Sequence, residues 1–237
     1  MLILGIDTSA KAAGAGVVKD GALLSDLCAL TALTHSETLL TLTDRALKTA
    51  GVGFEELDAV AVSAGPGSFT GIRIGVSAVK GMCFDSGKPV YGVSTLEALA
   101  VGAALPGFVI CPVMDARCAQ VYNALFESEN GALKRLSPDR AIRAADLAEE
   151  LAGAGRPALL IGDGAAVAAA ALDERGVPNA LMPEIFRCQH GSAVAFAAWM
   201  RYNKGEQGIC PDLLAPSYLR PSQAERERAK RLGLEAQ

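Results

Sequence analysis

The sequence predicts an α/β fold in which mixed sheets are flanked by helices. Short apolar runs alternate with longer amphipathic or alanine-rich segments along all 237 residues. A strand, an acidic turn and a second strand occur in that order twice, around Asp7 and around Asp115. This repeat indicates an internal duplication. We therefore expect two related domains, 1–104 and 105–237, with a boundary at Leu105-Pro106-Gly107.

The first domain is expected to open with an antiparallel meander of three strands. Leu2–Asp7 is a short apolar run that ends in a turn, and 14–18 and 23–30 supply the next two strands. Asp20-Gly21 marks the hairpin turn between them.

Two helices with apolar faces follow the meander. Ser36 is expected to cap the first, which runs to Ala50 and ends at Gly51. A strand over 57–63 and a glycine-rich block then lead into the second helix, predicted over 72–85. The first helix presents one apolar face, made of Leu39, Leu40, Thr43, Ala46, Leu47 and Ala50.

The remaining elements repeat this alternation. A strand over 90–93 and a helix to Ala104 close the first domain. The second domain is expected to hold strands over 108–114, 120–127 and 158–161, and helices over 145–151, 165–175 and 192–203. A charged helix is predicted over 223–232. Its mixed charges are typical of a solvated surface, and the helix can also pack back on the first domain.

Composition excludes several classes of protein. Hydrophobic residues make up 51% and charged residues 20%, as in globular proteins. The net charge of −4 argues against unaided binding to a phosphate backbone. The six cysteines show no C-x-x-C pair and are expected to be structural thiols in a reducing compartment. The short apolar start is neither a signal peptide nor a membrane span, so a cytoplasmic protein is expected.

The glycine-rich block over 63–75 lies between a strand and a helix. Such a turn can present backbone N–H groups to an anion, but it matches neither common nucleotide fingerprint. A tight corner that only glycine permits is an equally good interpretation. Asp7 and Asp115 at strand ends can likewise form Asx-turns. A vestigial nucleotide site is nevertheless kept as a possibility, at Asp7, Gly65, Gly67, Asp115, Gly162 and Gly164.

The second helix carries a stripe of small residues, which would let another helix approach closely. Apolar residues on the adjacent stripe are expected to face the sheet. Because so much of the helix circumference is small or apolar, we expect it to meet a partner. The predicted partner-binding residues on the two helices are Leu39, Leu40, Thr43, Leu47, Gly71, Gly75, Ala78 and Met82.

Histidines are too few for a transition-metal site. Only His35 and His190 occur, and the residue one helical turn after His35 is Leu39, so no H-x-x-x-H pair forms. His190 is expected in a helix-capping loop. A G-x-S-x-G nucleophile elbow is also missing. Neither a metal site nor a cofactor is therefore expected.

Five blocks occur in a fixed order along nearly the whole chain: Leu4-Gly5-Ile6-Asp7-Thr8-Ser9, His35-Ser36-Glu37-x-Leu39-Leu40, Gly65-Pro66-Gly67-Ser68-Phe69-Thr70-Gly71-Ile72-Arg73, Asp115-Ala116-Arg117 with Val121-Tyr122, and Ala215-Pro216-Ser217-Tyr218-Leu219-Arg220. Together they closely resemble the TsaB (YeaZ-type) family of tRNA threonylcarbamoyladenosine biosynthesis proteins. The glycine block is the most specific of the five.

The resemblance implies an actin-like (ASKHA, ribonuclease H-like) fold. It also implies pairing with TsaD, the paralogue that transfers threonylcarbamoyl to a tRNA adenosine, and work with the ATPase TsaE. TsaD resembles this chain but binds metal through an H-x-x-x-H motif, whose second position is Leu39 here. The resemblance thus implies a non-catalytic partner subunit that meets tRNA through the complex and forms a homodimer when alone.

Two enzyme hypotheses remain beside the partner subunit. An actin-like ATPase or kinase would use the glycine turns and Asp7, and the lack of a nucleotide fingerprint opposes it. A glycoprotease-like metallopeptidase would need the histidine pair that Leu39 interrupts.

Overall fold

Two mixed β-sheets, each covered by helices, make up the protein in this computed structural model, which describes residues 1–129, 132–221 and 231. The first sheet has the strand order β3-β2-β1-β4-β5. Strands β1, β2 and β3 pair antiparallel, and β4 and β5 continue parallel to β1. Its elements are β1 (Leu2–Asp7), β2 (Ala13–Lys19), β3 (Ala22–Ala29), α1 (His35–Ala50), β4 (Ala59–Gly65), α2 (Phe69–Met82), β5 (Val90–Ser94) and α3 (Thr95–Val101).

The second sheet repeats this plan. Its central order is β10-β7-β6-β11-β12, with β6, β7 and β10 antiparallel and β11 and β12 parallel to β6. The predicted duplication is therefore confirmed in the strand order. Its elements are β6 (Val109–Asp115), β7 (Gln120–Asn123), β8 (Phe126–Glu129), β9 (Ala132–Arg135), β10 (Arg140–Arg143), α4 (Ala144–Ala152), β11 (Ala158–Ile161), α5 (Ala165–Glu174), β12 (Asn179–Leu181) and α6 (Gly191–Asn203).

The strand predicted over 120–127 is interrupted. β7 pairs with the end of β6, whereas β8 pairs with Ile110 and with β9. Between them the buried Asn123 side chain donates to the carbonyl oxygen of Pro112 (3.2 Å). The Leu125 N–H donates to the Ser137 hydroxyl oxygen (2.8 Å). These bonds satisfy groups that the break would otherwise leave unpaired.

Helix α1 begins at His35, and its N-cap is Thr34, two residues before the predicted cap Ser36. The Glu37 carboxylate accepts from both the backbone N–H (2.8 Å) and the hydroxyl (2.6 Å) of Thr34. Glu37 stands three residues after the cap, where a capping box needs it. The helix ends at Gly51, as predicted, with φ at 71°.

Helix α6 lies in the second half of the chain but packs on the first sheet. A Cβ on Gly5 would meet the Ala195 side chain at 2.9 Å, so the glycine lets the helix approach β1. Buried alanines of α6 contact Ile3, Ala59 and Ala61. The division at 104/105 stays a prediction, since the chain from Gly191 onward returns to the first sheet.

The two faces of each sheet are buried under different helices. Helices α1 and α2 cover one face of the first sheet, and α6 covers the other. Helices α4 and α5 cover the outer face of the second sheet. Helix α3 packs between the sheets, where Leu96 and Leu99 contact Ile110, Met114 and Phe126. The strand ends of both sheets therefore open toward one another.

Within residues 1–129 and 132–221, no helix has the length and apolar character that crossing a bilayer requires. Apart from Arg231, the predicted tail helix over 223–232 lies outside the described residues.

Candidate functional site

A cleft of about 490 Å³ opens between the two sheets, where β1, β4, β6 and β11 end. Its volume lies within the range of small-molecule sites. Both signs of charge line it. Lining residues include Ser9, Lys11, Gly67, Ser68, Thr70, Asp115, Arg117, Tyr122, Asp163, Ser217, Tyr218 and Arg220.

Asp115 and Asp163 are the two carboxylates of the cleft. Asp115 Oδ1 accepts from the Arg117 N–H (2.7 Å), which makes the Asx-turn allowed for by the sequence. Asp163 Oδ1 accepts from the Asp115 N–H (3.2 Å). Burial, opposed by that hydrogen bond and reinforced by the charge of Asp115, raises the pKa of Asp163. The sequence placed the Gly162-Asp163-Gly164 turn beside a nucleotide in the ATPase hypothesis, but it assigned no separate role to the Asp163 carboxylate.

Asp7 does not line this cleft but a separate cavity of about 40 Å³ beside His190, so its assignment to a nucleotide site stays a prediction. The side chain is fully buried. One oxygen accepts from the Ser9 N–H (2.8 Å) and hydroxyl (2.7 Å), and the other accepts from the Ser63 hydroxyl. Burial raises the pKa of Asp7 despite these bonds. Asp7 therefore fixes the turn after β1.

The glycines of the predicted nucleotide site mostly serve close packing. Of Gly65, Gly67, Gly162 and Gly164, only Gly67 lines the cleft. A Cβ on Gly164 would lie 2.8 Å from the Met114 carbonyl carbon, and one on Gly162, where φ is 108°, would overlap the Val113 oxygen. The Ser68 N–H donates to the Ser9 oxygen (2.7 Å). The tight-corner interpretation therefore fits Gly65, Gly162 and Gly164.

A segment near the end of the described chain crosses the cleft. The Ser217 N–H donates to the Ala64 oxygen (2.7 Å), and Arg220 donates to the Ala116 oxygen (2.9 Å), so residues 217–220 contact both sheets. The Tyr218 ring stacks on a phenylalanine, and the Tyr218 hydroxyl accepts a hydrogen bond from an arginine. Those residues are Phe69, at 4.5 Å between ring centroids, and Arg73, whose Nε lies 2.7 Å from the Tyr218 hydroxyl. The sequence motifs that contain Tyr218, Phe69 and Arg73 were identified, but the contact between them was not predicted.

Four predicted partner-binding residues are corrected because they are buried in the chain's own core. Leu39 is 1% exposed and Thr43 is 4% exposed. Gly71 and Gly75 face Thr8, and a Cβ on Gly75 would lie 2.5 Å from the Thr8 hydroxyl oxygen. The small residues of α2 thus allow this helix to pack closely against the turn after β1 in the same chain.

The other four predicted residues remain accessible. Leu40 is 58% exposed, and Leu47, Ala78 and Met82 are half-buried. The helices that carry them, α1 and α2, contact one another. We call Leu40, Leu47, Ala78 and Met82 the α1–α2 face.

His35 is the first residue of α1, and its Nε2 lies 2.7 Å from the Ala10 oxygen. One turn later, Leu39 packs into the core beneath the helix. In the described part of the chain, no three His, Cys, Asp or Glu side chains come together as metal ligands would.

Comparison with known proteins gives one family. A family model described as TsaD, tRNA N6-adenosine threonylcarbamoyltransferase, matches residues 29–228. The tRNA threonylcarbamoyladenosine biosynthesis protein TsaB of Bacillus subtilis is 30% identical over 230 residues, which cover 95% of this chain and 96% of that protein. TsaB of Escherichia coli is 35% identical over 136 residues, 55% of this chain and 58% of that protein.

A solved structure agrees with these relatives. YeaZ from Pseudomonas aeruginosa superposes with a TM-score of 0.77 at 25% identity, over 92% of this chain and 99% of that one. The predicted fold class, an α/β fold of two related units with mixed sheets and flanking helices, is confirmed.

Proposed function

Because this chain belongs to the TsaB family of tRNA threonylcarbamoyladenosine biosynthesis proteins, we propose that it is a non-catalytic partner of the TsaD transferase. In this role it pairs with TsaD, works beside the ATPase TsaE and meets tRNA through the complex. A second copy occupies the same surface when TsaD is absent.

The observation that carries this proposal is the environment of residue 39. The resemblance places the second metal ligand of TsaD at this position. Here the position holds a leucine that packs with Ile72 and Val76 under α1. His35 alone cannot hold a metal ion firmly, since stable zinc sites use three or four protein ligands. His35 matches the first ligand position of the TsaD motif, whereas the second position holds the buried Leu39. Together these two residues support a transferase-like fold that lacks the transferase's metal.

The α1–α2 face supports the choice of partner. The TsaD family model spans both helices, so a TsaD chain is expected to carry a counterpart of this face. Two such faces would meet as four helices, a common way to bury apolar helix surfaces. Leu40 is the most exposed apolar side chain of the four and is the expected anchor.

The test is calorimetric titration of TsaD from the same organism with two variants. Leu40→Glu places a charge in the proposed contact, so we expect its Kd to rise by about tenfold or more. Leu23→Glu is the matched control, because Leu23 is also exposed (62%) but lies on β3. Tight binding by Leu40→Glu would place the interface elsewhere, and equal losses in both variants would indicate a general effect of charge.

Nucleotide binding in the inter-sheet cleft is the second candidate function. The size of the cleft and its Lys11, Arg117 and Arg220 side chains favour it. The packing of the glycines against backbone and the burial of Asp7 oppose it. Calorimetric titration with Mg-ATP tests this candidate. Binding that Arg117→Ala abolishes would support a nucleotide site, and the absence of heat would reject one.

The metallopeptidase hypothesis has less support. It needs clustered ligands, and among the described residues no three His, Cys, Asp or Glu side chains are placed so that they could hold a metal ion. Metal analysis of the purified protein tests it, with near-stoichiometric zinc as the result in its favour.

A further inference from the structure

Two cysteines that are distant in sequence meet beside the first sheet. Cys28 lies on edge strand β3, and Cys188 lies in the loop before α6. The Cys28 thiol donates to the backbone oxygen of Gln189, the residue that follows Cys188 (3.6 Å). This contact follows from the packing of α6 against β2 and β3.

Cys188 has a histidine and a carboxylate behind it. Its Sγ lies 3.3 Å from His190 Nε2, and the other ring nitrogen, Nδ1, lies 2.6 Å from Asp26 Oδ2. Asp26 Oδ1 accepts from the Ser192 N–H (3.1 Å) at the start of α6. Cys188 is thus placed as a nucleophile beside a base, His190, and Asp26 orients that base. This arrangement is typical of an activated thiol.

The charges of this group favour transfer of the thiol proton. The hydrogen bond to Asp26 raises the pKa of His190, which outweighs the opposing effect of burial. Burial would raise the pKa of Asp26, but the bonds from His190 and Ser192 hold that pKa below its ordinary value. Asp26 is therefore a carboxylate that stabilises a protonated imidazole next to Cys188.

The other cysteines lack this environment. Cys83 and Cys111 are buried, and burial raises their pKa values to about 11 and about 12. Cys118 and Cys210 are exposed. Among the described residues, Cys188 is the one cysteine whose thiol contacts a histidine ring.

We propose that Cys188 is a peroxide-reactive thiol, with His190 as its proton acceptor, and that Cys28 resolves the product into a Cys28–Cys188 disulfide. Asp26 is a positioning residue that acts through His190. This proposal is independent of the partner function.

The reaction balances with hydrogen peroxide as the oxidant. The Cys188 proton moves to His190, and the thiolate attacks one peroxide oxygen. An S–O bond forms, the O–O bond breaks, and the departing hydroxide takes the proton from His190 to leave as water. The Cys28 sulfur then attacks the sulfenic sulfur. An S–S bond forms, the S–O bond breaks, and the hydroxide leaves as water with the Cys28 proton.

The second step is expected to be the slower one. Cys28 is exposed, but partial desolvation of its thiol raises its pKa to about 12, and the neighbouring Cys188 adds to this effect. Few Cys28 thiolates are therefore present at neutral pH. A sulfenic acid on Cys188 should accumulate before the disulfide forms. The disulfide would then join β3 covalently to the loop before α6.

The experiment treats the full-length reduced protein with hydrogen peroxide at neutral pH and maps its cysteines by mass spectrometry. We expect a Cys28–Cys188 disulfide in the wild type. In Cys28→Ser, a sulfenic acid on Cys188 should be captured by dimedone. Cys188→Ser should give neither product. Cys210→Ser is the matched control and should behave as the wild type.

A second measurement separates activation from mere proximity. The rate of Cys188 alkylation by iodoacetamide should fall about tenfold or more in His190→Asn, because the variant lacks the proton acceptor that lies 3.3 Å from the thiol. Asp26→Asn should slow it as well, and Asp26→Glu should restore part of the rate. Circular dichroism checks that each variant is folded. The proposal is wrong if Cys188 reacts no faster than Cys118 and Cys210, if a different disulfide forms, or if folded His190→Asn alkylates at the wild-type rate.

Discussion

At the scale of single residues, the side chain at position 39 limits what α1 can bind. Leu39 is 1% exposed and packs against the first sheet's core. A histidine there would have to leave the core before it could reach a metal ion beside His35. The His35 ring nitrogen Nε2 is itself paired with the Ala10 oxygen. Restoring the sequence motif would therefore not restore the site.

We expect Leu39→His to lower the free energy of unfolding by about 2–4 kcal/mol, because it removes buried apolar surface and buries a polar ring. It should gain no stoichiometric zinc. The adjacent Leu40→His is the control, and its exposed position predicts a change within about 0.5 kcal/mol. Urea unfolding and metal analysis measure both effects. Tight zinc binding by a stable Leu39→His protein would show that the metal geometry had survived.

Asp7 makes a prediction about pH. Burial raises the pKa of this carboxyl above its ordinary value of 3.8. At pH values between the unfolded and the folded pKa, the folded state therefore holds a proton that the unfolded chain has released. Its contribution to stability is fully present below the ordinary value and is lost as the pH rises through the folded pKa. Asp7→Asn removes this titration.

We therefore expect the stability difference between wild type and Asp7→Asn to shift in favour of the variant as the pH rises from about 4 to about 8. Urea unfolding across that range measures the difference. The charge of Asp7 also raises the pKa of His190, so both proteins are compared in a His190→Asn background, where this coupling is absent. Parallel pH curves would mean that Asp7 is ionised in the fold at all these values.

Some residue contacts could not be predicted from the sequence. Spacing rules find cysteines that are close along the chain, whereas Cys28 and Cys188 meet only because α6 returns to the first sheet. The Asp26–His190 pair depends on the same contact. By contrast, the sequence alone shows that Leu39 stands four residues after His35, where an H-x-x-x-H motif has its second histidine.

At the scale of elements, α2 shows which small residues the fold requires. A Cβ at Gly75 would lie 2.5 Å from the Thr8 hydroxyl oxygen and 3.2 Å from Val62 Cγ2. Gly81 lies on the same helix, is exposed, and has no neighbour within 4 Å of an added Cβ. The two glycines therefore differ in packing but share a helical backbone.

We expect Gly75→Ala to lower the free energy of unfolding by about 1–3 kcal/mol through overpacking. Gly81→Ala should raise it by about 0.5–1 kcal/mol, since alanine favours a helix more than glycine does. Urea unfolding measures both. If Gly75→Ala is neutral in stability but weakens TsaD binding, the glycine stripe faces the partner after all.

Element types were predicted well, because each segment carries its own period and end signals. Gly51 marked the end of α1, and the alternation of strands and helices predicted the first sheet and the central strands of the second, whereas β9, β10 and β12 were missed. Helical periodicity also identified two stripes on α2, but it could not say which stripe faces the chain's own sheet. Thr8 approaches Gly71 and Gly75 through tertiary packing, so their partner-binding assignment was wrong.

At the scale of the whole molecule, two sheets with the same central strand order lie on either side of a cleft. The duplicated turns at Asp7 and Asp115 predicted two related units, but they did not predict the cleft between them. Residues 217–220 then contact both halves, through Ser217 on Ala64 and Arg220 on Ala116. The role of that segment depends on long-range contacts, which a single sequence does not display.

We propose that this chain supports threonylcarbamoyl transfer without performing it. The test is the amount of threonylcarbamoyladenosine formed in tRNA by purified components, with this chain alone, with TsaD and TsaE alone, and with all three. We expect no product from this chain alone and far more from all three than from TsaD and TsaE. Product from this chain alone, or equal product whether or not it is added, would show that the chain does not have this supporting role.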